Sequence, residues 1–89
     1  MNKLYLITLD AEFDRASLIS FLEKNNHINF WFFNMPNSFF VRSYLSAQLL
    51  SDKIRPLAGA KSYVVIQLPQ GGNFAGFIPD QHATFFNNL

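Results

Sequence analysis

The chain has 89 residues, with 7 Lys and Arg against 6 Asp and Glu, 2 His and no Cys, and a formal net charge of +1. That length holds one domain, residues 1–89, and excludes large catalytic scaffolds, while the lack of Cys excludes thiol catalysis, redox switching and thiolate zinc sites. The charge balance excludes a broad basic face for nucleic acid or anionic membrane, so stability must rest on an apolar fraction of 49% that includes 11 Phe.

Residues 3–9 carry apolar side chains on both alternating faces, Leu4 and Leu6 against Tyr5, Ile7 and Leu9, and predict a central strand. This opening run is too short and lacks the small-residue cleavage site of a targeting segment. Asp14 is placed to cap a helix over about residues 15–25, where Leu18, Ile19 and Leu22 recur at helical spacing and Asn25-Asn26 supplies a stop. Ile28 to Phe33 is a dense aromatic run that reads as a second strand. Asn34-Met35-Pro36-Asn37 forms the turn into a third strand, Ser38 to Ser43, paired with the second as a hairpin.

Ser46 caps a second predicted helix from Ala47 to Arg55, with Pro56 bending or ending it. Residues 62–68 form a fourth strand closed by Pro69-Gln70-Gly71-Gly72, and the tail predicts a short strand at 74–78 and a terminal helix from Pro79. Strand, helix, strand, strand, helix, strand is the ferredoxin-like βαββαβ order of an α+β fold, with both helices on one face of a four-stranded antiparallel sheet. No stretch is long and apolar enough for a membrane helix, and a cytoplasmic location is expected.

Two helices cover one face only, yet the strands are apolar on both. Trp31 and Phe33 oppose Phe30 and Phe32, and Phe40 opposes Phe39 and Val41. Three covers for the surplus face are open: the tail around Phe74, Phe77, Phe85 and Phe86, a second copy of the chain, or stacked nucleobases. The expected interface residues are Trp31, Phe33, Phe40, Phe74 and Phe77, and the expected state is a homodimer. Gly72 to Ile78 resembles the Gly and aromatic stretch of RNA-recognition motifs, although it follows the fourth strand rather than lying on the third, and the cations expected beside it are Lys61 and Arg42 alone.

Asp10, Glu12 and Asp14 are the one carboxylate cluster, a spacing that suits Mg²⁺ or Ca²⁺. A calcium loop is excluded because Arg15 stands where its Gly belongs and Phe21 where its distal Glu belongs. The structural reading gives Asp14 to helix capping, Glu12 to the helix dipole and Asp10 to the strand end. His27 and His82 share no ligand or triad spacing, and Gly71-Gly72 with Gly76 lacks the Lys-Ser/Thr of a phosphate loop.

Several segments together resemble the SinR-like family of small bacterial proteins. They are Leu4 to Asp10, Phe30-Trp31-Phe32-Phe33-Asn34, Asn37 to Val41, Ser46-Ala47 with Ile54-Arg55-Pro56-Leu57, and Tyr63 to Leu68 before Phe74-Ala75-Gly76-Phe77. The architecture is in turn similar to the small CRISPR-associated endoribonuclease and VapD proteins. That resemblance implies a dimer and, in some members, RNA cleavage with a metal held near an Asp at the end of the first strand. Asp10 matches that position as catalytic and metal-binding candidate, with Mg²⁺ as the implied ion. Arg15 and Arg42 are candidate nucleic-acid contacts by location. The primary expectation is a non-catalytic interaction protein that needs no cofactor and self-associates through its sheet, and the alternative is a metal-dependent ribonuclease.

Overall fold

Strand β1, Lys3–Leu9, buries Tyr5, Ile7 and Leu9 on one side, and its alternation continues across the sheet. The computed structural model describes residues 2–69. After β1 come helix α1 (Arg15–Lys24), strands β2 (Ile28–Met35) and β3 (Ser38–Ser43), helix α2 (Ala47–Ala58) and strand β4 (Tyr63–Leu68). The strands form one antiparallel sheet in the order β2-β3-β1-β4, so β1 and β3 are central. The tail strand expected at 74–78, the helix expected after it, and Phe74 and Phe77 lie outside the described residues.

Both helices bury their apolar stripes in one cluster, where Leu18 and Leu22 of α1 and Leu50, Ile54 and Ala58 of α2 meet Tyr5, Ile7, Phe39 and Val41. The faces of β1 and β3 therefore divide as the alternation predicts, with odd-numbered residues toward the helices. On the opposite face a smaller cluster joins Leu4 and Phe32, with Phe40 and Leu68 packed against them.

Asp14 caps α1 by accepting the Ser17 backbone N–H at 3.3 Å and the Ser17 hydroxyl at 2.7 Å, and Ser46 caps α2 by accepting the Leu49 N–H at 3.1 Å. Of the two outcomes expected at Pro56, bending or ending the helix, the second does not occur, and α2 runs two residues further to Ala58. Proline removes one hydrogen bond to the preceding turn and leaves later residues able to continue, and packing of Ala58 into the core holds the extra residues. The Arg55 guanidinium then donates to the Gly59 carbonyl at 3.0 Å, and Gly59 takes the positive φ of 59° that ends the helix.

The hairpin between β2 and β3 turns at Pro36-Asn37. Among the described residues only Gly59 has positive φ, so this is not a primed turn of the kind that matches strand twist. The register of β2 shifts between Phe32 and Met35, beside the turn, where an irregularity absorbs the mismatch.

Candidate functional site

Asp10 sits just past β1, at the sheet end that carries the Pro36-Asn37 turn, since the Leu9 N–H donates to the Asn37 carbonyl at 2.8 Å. It is exposed, and its backbone N–H donates to the Ser62 carbonyl at 2.9 Å. Its Oδ1 accepts the Glu12 N–H at 2.8 Å while its carbonyl accepts the Phe13 N–H at 2.9 Å, so the carboxylate closes the turn into α1. The Asp14 carboxyl is held below its ordinary value by the Ser17 hydroxyl first and the Ser17 backbone N–H second. Among the described residues no group of three or more His, Asp or Glu side chains is placed to hold a metal ion.

The two arginines are not brought together. Arg15 opens α1 and donates to the Pro36 carbonyl at 3.3 Å, near Asp10. Arg42 lies on β3 opposite Leu4 and Phe30, and the run of β1 from Leu4 to Asp10 separates it from the acidic turn by roughly 20 Å. His27 is exposed in the turn before β2 and contributes its backbone, with its carbonyl accepting the Ser43 hydroxyl at 2.7 Å.

The residues expected to share one aromatic face are divided between two. Trp31 pairs with Val41 and packs against the helix-side core, and Phe33 lies 4.7 Å from Phe39 between ring centroids on that same side. Phe40 points to the opposite face and stacks on Phe32 at 5.2 Å. The cause is a register shift between Ile28 and Phe30, which lets Ile28 and Trp31, three residues apart, both reach the helix side. A regular strand would put them on opposite faces.

The helix-free face thus carries Leu4 and Leu6 of β1, Phe30 and Phe32 of β2, Phe40 and Arg42 of β3, and Val64, Ile66 and Leu68 of β4. Leu4 on the central strand β1 and Phe32 on β2 are buried, whereas Phe30 (48%) on β2 and Val64 (52%) and Ile66 (43%) on β4 are exposed. Sequence reasoning did not single out Val64 and Ile66; the available signal was an uncharged β-branched run in the last strand of the βαββαβ order, which the topology leaves at an edge.

Shallow clefts flank the helices among the described residues. One of about 440 Å³ lies where α2 meets β4, with Ser51, Arg55, Lys61 and Tyr63 on its walls. Its polar groups already serve the fold: Arg55 holds Gly59, and the Tyr63 hydroxyl donates to the Ser51 carbonyl at 2.9 Å. Another, about 450 Å³, runs between α1 and β2 and is lined by Leu22, Glu23, Ile28 and Trp31 among others.

Fold and surface together define a small α+β protein with two helices on one face of a four-stranded antiparallel sheet and exposed apolar side chains on the other. No helix among the described residues is long and apolar enough to cross a membrane. Comparison with protein-family models, curated proteins and solved structures found no match.

Proposed function

We propose that this is a small cytoplasmic interaction protein, without catalytic activity of its own, that forms a homodimer through its sheet. The single observation that carries the reading is the exposure of Val64, Ile66 and Phe30 on the face that neither helix covers. Isolated surface apolar residues are ordinary, but here they border the apolar cluster of Leu4, Phe32, Phe40 and Leu68, which favours burial against a partner. A second copy brings the same surface by symmetry and needs no electrostatic steering from a chain of net charge +1. The ferredoxin-like assignment and the SinR-like resemblance belong to this reading, supported by the chain order β1-α1-β2-β3-α2-β4 with both edges formed by strands that follow a helix. Light scattering across a dilution series tests it. A mass of twice 10.2 kDa that falls on dilution is the expected result, and a monomer at every concentration overturns it.

The alternative is a metal-dependent ribonuclease in which Asp10 from each protomer gathers Mg²⁺. It draws on the exposed position of Asp10 after an apolar strand, while engagement of Oδ1 by the Glu12 N–H favours the non-catalytic reading. Metal-dependent RNA cleavage by the purified chain, abolished in a folded Asp10→Ala variant, would reverse that preference.

A further inference from the structure

The two edges of the sheet are built differently. Strand β2 is broken by two register shifts and runs into Pro36, and both features are ones that blunt an edge against strand addition. Strand β4 pairs with β1 through six consecutive residues without a shift, and its sequence Tyr-Val-Val-Ile-Gln-Leu contains no charge, Pro or Gly. Among the described residues β4 has a strand on one side only.

The phase of its hydrogen bonds follows from one contact. The Asp10 N–H donates to the Ser62 carbonyl, so Ser62 turns its polar backbone groups toward β1. In an antiparallel ladder this direction alternates, so Val64, Ile66 and Leu68 also face β1, and Tyr63, Val65 and Gln67 turn their N–H and C=O groups outward.

We infer that the outward edge of β4 pairs with β4 of a second copy, antiparallel about a two-fold axis at Val65, joining two four-stranded sheets into one. This rests on the self-association reading and names its surface. The register is self-complementary. Val65 meets its own copy and Tyr63 meets Gln67 of the partner subunit, so outward-facing groups oppose outward-facing groups throughout. A two-fold axis displaced one residue toward the C-terminus brings Pro69, which has no N–H, into the ladder, and one displaced the other way draws in Lys61. On the helix-free face the Val65 register sets Val64 against Ile66 of the partner subunit, and Ile66 against the partner's Val64. The two exposed apolar residues of β4 thereby become cross-strand neighbours in contact along one face, and no charged side chains are opposed within the strand.

The test uses the full chain in three forms, with folding checked by circular dichroism and the dimer constant read by light scattering. Val64→Lys/Ile66→Lys opposes like charges twice across the axis and is expected to weaken dimerisation roughly tenfold or more. Val64→Glu/Ile66→Lys opposes Glu to Lys twice in this register and is expected to restore dimerisation relative to the double Lys form, in a salt-sensitive manner. Amide exchange at Tyr63, Val65 and Gln67 is expected to slow as concentration rises. A folded double Lys variant with the wild-type dimer constant, or a charge-swapped variant no better than the double Lys form, overturns the β4 pairing and leaves self-association by another surface. A wild-type monomer overturns both, and concentration-independent protection of those amides would then assign the edge to the chain's own residues 70–89.

Discussion

Ser43 is the buried polar residue of the described core, and its hydroxyl reinforces a junction that the Tyr44 N–H also makes by donating to the His27 carbonyl at 3.3 Å. It donates to the His27 carbonyl at 2.7 Å and accepts the Leu45 N–H at 3.0 Å, tying the start of β2 to the loop that leads into α2. Removing the hydroxyl leaves a buried donor and an acceptor without that partner, and water cannot replace it without opening the site. Ser43→Ala is therefore expected to lower stability by about 1–3 kcal/mol, read as a shift of the urea midpoint at unchanged slope. No sequence pattern advertised this role, because the Leu45 N–H is a local partner two residues on, whereas the His27 carbonyl comes close only when β2 and β3 pair. Asp14 is the opposite case. Its place just ahead of an amphipathic run is the ordinary sign of a helix cap, and the Ser17 contacts follow from that position.

At the scale of elements, the cap has a pH signature. Because folding lowers the Asp14 pKa below its ordinary 3.8, its contribution is present above that value and is lost as pH falls through the folded pKa. Thermal melts between pH 2 and 5 should show a smaller acid-side fall in Asp14→Asn than in wild type, since the amide oxygen still accepts the Ser17 N–H but does not titrate; equal slopes would remove Asp14 from the acid response. The strands and helices were legible because periodicity and capping act locally, as β1 and Ser46 illustrate. The facing of β2 was not. Phe30, Trp31, Phe32 and Phe33 are apolar at both parities, and a shift beside Asn29 decides which pair meets the helices. A substitution separates the two faces: Trp31→Asp sets a charge against the helix-side core and is expected to cost roughly 3 kcal/mol or more, whereas Ile66→Asp, on the exposed face, should leave the monomer's unfolding nearly unchanged. Comparable losses in chemical unfolding of the two variants, measured under monomeric conditions, would contradict the assigned facing.

For the whole molecule, one buried phenol ties the central strand to a loop distant in sequence. Tyr5 stands in the middle of β1 with no exposure, and its hydroxyl donates to the Leu45 carbonyl at 2.6 Å across 40 residues of chain. It thereby couples the central strand to the loop between β3 and α2, and through Ser43 to the start of β2. Burial pushes the phenol above its ordinary 10.0, because the phenolate would lose hydration and face a carbonyl oxygen in place of a donor. Since the folded value is the higher one, the contribution is complete below the unfolded pKa and disappears as pH rises through the folded pKa, where the unfolded chain releases the proton first. Tyr5→Phe should consequently destabilise the protein at neutral pH by about 1 kcal/mol, through the lost hydrogen bond. Above pH 10 the same variant should lose stability less steeply than wild type, so the two urea midpoints converge as the solution becomes more alkaline. A constant gap across that range would mean that Tyr5 ionises equally in both states and that its hydroxyl, although buried, does not link folding to pH.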